Sequence, residues 1–294
     1  MVSSKQPRLS VILPAHNAEG TIKTAVTSTL NAMPSDSELL VFLDACTDQT
    51  AGVLASISDS RLRVSTSTTN LGVSGALNAL LLEAKGDLVA RMDADDVCLK
   101  SRFRVQLQAQ KRFNADFVFS NAILFGRQLK PFGFIAQMPL GLRPNQINMA
   151  LIFANPFVHP SMLARRAALQ ELGGYSSSAA EDYELWLRGA LAGKSMVRTP
   201  NYGLLYRVHP GQLTQQGTWQ QKFKSDDILE AAQRKLAERV LGIKDASNMS
   251  AGDLREFAWN MQGKKSLRVR MDLLRNVGFQ RFFKYGIRGD NEGD

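Results

Sequence analysis

Residues 87–96 read DLVARMDADD, a short apolar run over Leu88, Val89 and Ala90 that breaks into three acids within four positions, Asp93, Asp95 and Asp96. A brief β-prone run over Asp87 to Met92 that stops in a polar turn marks a buried strand with chemistry at its end. Like charges this close raise one another's pKa unless a cation sits among them, and a hard divalent cation is the simplest remedy. Mg²⁺ and Mn²⁺ take oxygen ligands, often from one or two carboxylates, with waters and substrate phosphates completing the shell. An Asp-x-Asp in this position suits a metal–diphosphate site. Acidic loops are also common as solvated surface, so the context decides.

Outward from that stretch the same unit repeats. Leu9 to Leu13 is a short apolar run ended by Pro14, followed by a helical pattern over Thr21 to Leu30. Glu38 to Leu43 is a continuous apolar run, followed by Asp44, a Thr/Asp-rich turn and a helix over Ala51 to Ile57. Arg61 to Ser65 gives a third strand and Val73 to Ala84 a helix with an apolar stripe. Strands alternating with helices predict an α/β fold: a Rossmann-like, mostly parallel central sheet flanked by helices. In such sheets ligands sit beyond the carboxyl ends of the strands. Those ends carry Pro14, His16 and Asn17, then Asp44 and Asp48, then Asn70 and Gly72, then the acids at 93, 95 and 96.

The 294 residues are 44% hydrophobic and 21% charged, ordinary values for a globular chain with a sizeable core. One α/β domain plus an appendage fits that length. Cys46 and Cys98 are too few for a disulfide scaffold and lack the paired spacing of a zinc site, so a reducing, cytoplasmic compartment is expected. Met1 to Ser10 lacks the apolar core of a signal peptide, and no apolar run reaches the ~18 residues of a membrane span. A soluble or peripheral protein follows.

The net charge of +9 gathers near the C-terminus, where residues 264–288 hold eight Lys or Arg against Asp272 alone. Leu267, Val269, Leu273, Phe279, Phe282 and Phe283 interleave with those charges. That pattern suits an amphipathic segment on an anionic membrane surface, and equally a solvated basic helix packed on the domain. No recognition motif accompanies it, so nucleic acid is not an expected partner. Helix-like segments over Trp219 to Leu241 and Ala251 to Arg275 make residues 216–294 a helical, basic extension. It is left to pack across the cleft, pair two copies or touch a membrane. Disorder is expected over Gly289 to Asp294.

Four motifs in order carry a family resemblance: LSVILPAHNAEGTI (9–22), LDACTDQT (43–50), NLGVSGALN (70–78) and AKGDLVARMDADD (84–96), with Arg102 and Gln106 after them. Residues 9–106 resemble the donor-binding half of family 2 glycosyltransferases of the GT-A fold. NPFVHPSMLARRAAL (155–169), LGGY (172–175), AEDYELWLR (180–188) and LLYRVH (204–209) resemble the acceptor-side blocks of capsule and lipopolysaccharide-type members. The resemblance implies a glycosyltransferase domain over 1–215, with a donor half over about 8–106 and an acceptor half over about 107–215. It implies an inverting transfer of a hexose or N-acetylhexosamine, UDP-linked above GDP- or dTDP-linked, to a hydroxyl of a glycan or lipid-linked glycan in surface polysaccharide synthesis, and the basic tail adds the expectation of a peripheral place on the inner face of the membrane.

By the same resemblance Pro14, Ala15, His16, Asn17 and Asp44 cradle base and ribose, Asn70 and Asp93 face the donor, and Asp95 and Asp93 hold Mn²⁺ or Mg²⁺. Leu43 stands where many relatives carry a first of two acids, and Cys46 where Ser is usual. Asp44 also reads as a cap for the helix after Thr47, and Asp48 as a cap or surface residue. Asp96 is expected to support its loop. Asp182, at the start of the helical pattern EDYELWLRGAL, matches the family's base; Glu181 and Asp182 also read as simple complements to a helix dipole. A sugar hydroxyl is a poor nucleophile until a positioned carboxylate takes its proton.

His209, after Tyr206 and Arg207, is placed near diphosphate or metal, with Arg207 offering phosphate a planar fork. His159 shapes the acceptor side, Gly173-Gly174 is a turn before Tyr175, Trp186 is core, and Asn155 and Pro156 serve loop geometry only. Three other classes fit less well. A dehydrogenase needs a G-x-G-x-x-G loop where this chain has PAHNAEG. A nucleotidyltransferase should carry a Gly-rich, basic first loop, and none is present before Lys23. A non-catalytic nucleotide-sugar-binding or scaffold protein of the same fold should have lost the metal acids and the base, which are retained here.

Overall fold

The computed structural model describes residues 7–126, 134–136, 141–210, 212, 225–245, 249 and 253. In chain order its elements are β1 (Leu9–Ala15), α1 (Ile22–Ala32), β2 (Ser37–Asp44), α2 (Thr50–Ala55), β3 (Leu62–Ser67) and α3 (Gly72–Glu83). Then come β4 (Leu88–Arg91), β5 (Val97–Cys98), α4 (Arg102–Phe113), β6 (Phe117–Phe125), β7 (Phe134–Ala136) and α5 (Pro144–Phe153). A 3₁₀ turn (His159–Ser161) precedes β8 (Leu163–Arg165), α6 (Arg166–Glu171), α7 (Glu181–Leu191), β9 (Met196–Arg207) and α8 (Asp227–Leu241).

One sheet runs in the order β3-β2-β1-β4-β8-β6-β9-β5, with β7 beside β6. The first four strands in that order pair parallel, as the alternation of strand and helix predicts. Beyond β4 the sheet is mixed: β8 is antiparallel to both β4 and β6, β5 is antiparallel to β9, and β6 and β9 are parallel. The alternation of Cβ directions along a strand divides the apolar residues between two cores. Leu39, Val41 and Leu43 of β2 face α1 and the adjoining helix α2, while Leu40 and Phe42 face α3 on the other side. Both faces are covered, so β2 is buried along its whole length and apolar without a break from Leu39 to Leu43.

Pro14 was expected to end the first strand, yet β1 continues to Ala15. Pairing to β4 stops at Ile12 opposite Arg91, whereas pairing to β2 runs on through Pro14 opposite Phe42. Proline thus sits where one edge of the strand is already open, a position that tolerates a missing N–H.

The second core joins α3, α5, α7 and α8 around Trp186, which is fully buried as expected. Phe117 and Phe119 meet its ring edge-on, and Phe119 stacks on Phe157 with centroids 3.7 Å apart. From residue 216 onward, the described part of the C-terminal extension is chiefly α8. Asp226 caps it by accepting from the Leu229 amide at 3.0 Å, and Leu229, Leu236, Ala237 and Leu241 pack into this same core. The segments expected over 219–224 and beyond 253, including the basic tail and the chain end, lie outside the described residues. Among the described residues no helix is long and apolar enough to cross a membrane.

Candidate active site

The carboxyl ends of β1, β2 and β3 are stitched to one another by short polar contacts. Asn17 takes a left-handed backbone, φ 48°, and its Oδ1 accepts from the Thr47 amide at 2.8 Å. His16 Nδ1 hydrogen-bonds the carbonyl of Asp44. Cys46 Sγ bridges the same two loops, lying 3.4 Å from both the Ala15 carbonyl and the Asn17 amide. Pro14, Ala15, His16, Asn17 and Asp44 therefore converge, with His16 and Asn17 exposed and Asp44 buried. Asp44 does not cap α2: its Oδ1 accepts from the Leu71 amide at 2.7 Å and so fixes the entry to α3. Asp48, one residue before the N-cap Gln49, accepts from the first helical amide of α2, that of Thr50, at 3.0 Å. Asn70 Oδ1 accepts from the Gly72 amide at 2.9 Å, turning the chain into α3.

At the end of β4 the acids gather. Asp93, Asp95 and Asp96 each present an oxygen within 4.8 Å of the others. Burial, then the charges of Asp93 and Asp95, push Asp96 well above the usual carboxylate range. Burial likewise raises Asp93, with Asp95 adding to the rise and Arg91 opposing it. Asp96 Oδ1 accepts from the Arg207 amide at 2.8 Å, the loop-supporting role expected of it. Its Oδ2 is buried with no hydrogen-bond donor among the described residues. A crowded acid set with an unsatisfied buried oxygen is the donor set a hard divalent cation fits. His209 closes one side, Nε2 lying 3.0 Å from Asp95 Oδ2. Arg207 donates from Nε to the Asp95 carbonyl at 2.8 Å, and its guanidinium lies over the Phe125 ring, 4.5 Å from the centroid.

Arg102 and Gln106 of α4 hold this corner from beneath. Arg102 is fully buried, and its Nη2 donates to the carbonyls of Arg91 and Met162 at 2.7 and 3.2 Å. Gln106 Nε2 donates to the carbonyls of Ser161 and Val118 at 2.7 and 3.1 Å. Both side chains of the motif are framework, binding the end of β4 to the 3₁₀ turn and β6.

The other wall is the start of α7, where Glu181 and Asp182 occupy the first turn. Asp182 Oδ1 accepts from the Tyr183 amide and Oδ2 from Asn155 Nδ2, both at 2.7 Å. Burial raises the Asp182 pKa, and those hydrogen bonds with Arg91 act against the rise. Burial, then the charge of Asp182, pushes Glu181 up to about 7. Arg91 spans the gap between the two walls: Nε is 2.9 Å from Asp93 Oδ1 in a close ion pair, and Nη1 is 3.9 Å from Glu181 Oε1. Burial works against its charge, and the carboxylates of Asp93 and Glu181 more than offset that. His159 stands 3.5 Å from Glu181 through Nδ1 and 3.1 Å from the Tyr175 hydroxyl through Nε2.

Gly173 and Gly174 make the turn that delivers Tyr175, with φ of 77° and 72°. A Cβ on Gly174 would fall 2.5 Å from Asn78 Oδ1, the atom that accepts from the Tyr175 amide. Glycine is therefore required there twice over. Three residues of this wall escaped the sequence reading. Arg91 was given no role, Glu181 read as a dipole complement, and Asn155, assigned loop geometry alone, in fact donates to Asp182. Only the ED pair at a helix start hinted that Glu181 shared a site with its neighbour.

The chain matches the family model described as "Glycosyl transferase family 2" over residues 10–173. It is 27% identical over 179 residues to the Escherichia coli UDP-Glc:alpha-D-GlcNAc-diphosphoundecaprenol beta-1,3-glucosyltransferase WfgD, covering 61% of this chain and 68% of that one. Among solved structures it resembles S. aureus TarS 1-349 in complex with UDP-GlcNAc, TM-score 0.63 at 18% identity, over 96% of this chain and 76% of that one. It also resembles the mannosyltransferase PcManGT from Pyrobaculum calidifontis in complex with GDP-Man and Mn2+, TM-score 0.62 at 17% identity, over 97% and 83%. A family match across more than half the sequence, on the sheet and loops just described, makes this chain a member of glycosyl transferase family 2.

Proposed function

We propose that this glycosyltransferase moves a hexose or N-acetylhexosamine from a UDP-sugar, with inversion, to a hydroxyl of a glycan or lipid-linked glycan in surface polysaccharide assembly. The observation that carries the reading is Arg91, one buried cation within ion-pair reach of both the acid cluster after β4 and the acid pair that opens α7. Two walls that share a charge so closely can act on the two ends of one transfer. The choice of UDP is supported by the donors named for WfgD and TarS; the fold itself is shared with a protein bound to GDP-Man.

On this reading the loops after β1 and β2, with Asp44 and Asn70, receive the nucleoside, and Asp93 faces the donor ribose or sugar. Asp95 and Asp93, with His209 beside them, would hold Mn²⁺ or Mg²⁺, which supplies a Lewis acid for the departing diphosphate. Arg207 lies where it can answer phosphate charge. Asp182 accepts the proton of the attacking hydroxyl as the new glycosidic bond forms on the face opposite the leaving diphosphate. Attack from that face inverts the anomeric centre. Family membership is reached through residues 10–173, and we place the end of the transferase domain near residue 215 with α8 packed against it.

Thermal shift separates the roles, because a ligand that binds the native state raises its stability. UDP with Mn²⁺ should raise the melting midpoint of the wild-type chain and of Asp182→Asn, and fail to do so for Asp95→Ala. Release of UDP from UDP-glucose or UDP-N-acetylglucosamine should vanish in Asp182→Asn. Equal loss of ligand stabilisation and turnover in both variants overturns this division.

A further inference from the structure

Asn155 lies between α5 and the 3₁₀ turn, in a loop with no regular structure of its own. Its amide is oriented by its neighbours. Oδ1 accepts from the Phe157 amide at 3.1 Å, so Nδ2 is the end left to face Asp182 Oδ2, which it meets at 2.7 Å. The reverse orientation would set a carbonyl against a carboxylate and an NH₂ against an N–H. The loop is held on both sides as well. Arg198, itself buried, donates from Nη1 to the Pro156 carbonyl at 2.8 Å, and Phe157 stacks between Phe119 and the edge of Trp186.

The carboxylate of Asp182 thus has one donor on each oxygen, from different parts of the chain. The Tyr183 amide belongs to the same helix and moves with Asp182; Asn155 comes from a separate segment, 27 residues earlier, and relates the carboxylate to the rest of the cleft. An ionised carboxylate accepts about four hydrogen bonds, so lone pairs remain for an incoming hydroxyl. We propose that Asn155 is a positioning residue: by gripping Oδ2 it fixes the rotation of the Asp182 carboxylate and keeps it ready to receive the proton of the acceptor hydroxyl. This rests on the reading of Asp182 as the base.

The charged and titratable groups around Asp182 are Arg91 at the end of β4, Glu181 on its own helix, and His159 and Tyr175 behind Glu181. Removing the Asn155 donor leaves Arg91 and the Tyr183 amide to hold the ionised form. The base then stays protonated to higher pH. Asn155→Asp goes further, since it keeps the shape and the acceptor for Phe157 while placing a second carboxylate against the first.

The test uses the full chain and two independent readouts. Carboxyl ¹³C NMR of aspartate-labelled protein, with the Asp182 signal identified by its loss in Asp182→Asn, follows the titration without any substrate. Its midpoint should move up by about one pH unit in Asn155→Ala and further in Asn155→Asp. UDP release from UDP-glucose or UDP-N-acetylglucosamine with Mn²⁺, water serving as acceptor, should show kcat lower by on the order of ten-fold with donor KM unchanged. Its acid limb should shift to higher pH in the same order. Unchanged midpoints in both variants, or a loss confined to KM, overturns the proposal. Should Asn155→Ala fold poorly by circular dichroism, the isosteric Asp variant decides. Full turnover in Asp182→Asn defeats the base reading instead, and leaves the NMR result standing on its own.

Discussion

Glu181 and Arg91 face each other across the cleft, and their balance is set by where the chain buries them. The Glu181 carboxyl is held up to about 7 by burial and by the Asp182 charge, against the pull of Arg91. The fold therefore prefers its protonated form. That contribution to stability is full below the ordinary value of 4.5 and is lost as pH rises through about 7. Glu181→Gln stays neutral throughout, so its melting midpoint should gain on the wild type between pH 4.5 and pH 8, with the smaller difference at the acid end. A difference that does not change across that range would show that Glu181 ionises normally. Neither role was readable from residues alone. The place of Asp182 in the first turn of α7 was legible because EDY opens a helical pattern, whereas Arg91, already paired with Asp93 two residues on, gains Glu181 only when α7, ninety residues later, comes to lie beside β4.

Elements with a full apolar period were the legible part of the fold. β1 to β4 and the helices between them appear where the runs and stripes put them, with ends shifted by a residue or two. The mixed half of the sheet was not foreseen. β5 and β8 span two and three residues, too short to carry a periodicity, and both are held by register with neighbours distant in sequence. The helical pattern up to Leu241 was readable, but its docking was not. α8 is tied to the wall that α7 forms: Asp226 Oδ2 accepts from Ser178 Oγ and the Ala179 amide at 2.6 and 2.7 Å, just before α7, and Gln233 Nε2 donates to the Ile152 carbonyl at 2.7 Å. Leu236 is fully buried beside these contacts. Leu236→Ala should cost about 2–5 kcal/mol in urea unfolding, the range for a cavity cut in a packed core. The loss should appear in the single transition of the whole domain. A separate early melting of α8, with the rest at wild-type stability, would mean the helix is an ornament on the domain rather than part of its core.

At the scale of the molecule the charge is lopsided. The chain carries +9, and residues 264–288 supply eight basic residues against one acid, while the acids that matter chemically gather at the strand ends. Phe279, Phe282, Phe283 and Tyr285 alternate with those basic residues, a composition that suits an anionic surface, by charge and by shallow apolar insertion. Each Lys or Arg near such a surface contributes about 1 kcal/mol, falling off within a Debye length. We propose that the enzyme sits peripherally on the inner face of a membrane, where a lipid-linked acceptor would be presented. The full chain should co-sediment with vesicles containing phosphatidylglycerol, release as salt rises from ~0.1 to ~1 M, and ignore neutral phosphatidylcholine vesicles. A chain ending at residue 260 should keep its melting midpoint and its UDP-dependent shift and lose the vesicles. Undiminished binding of the shortened chain would assign the membrane contact, if any, to the transferase domain, and the basic tail would then be a solvated segment.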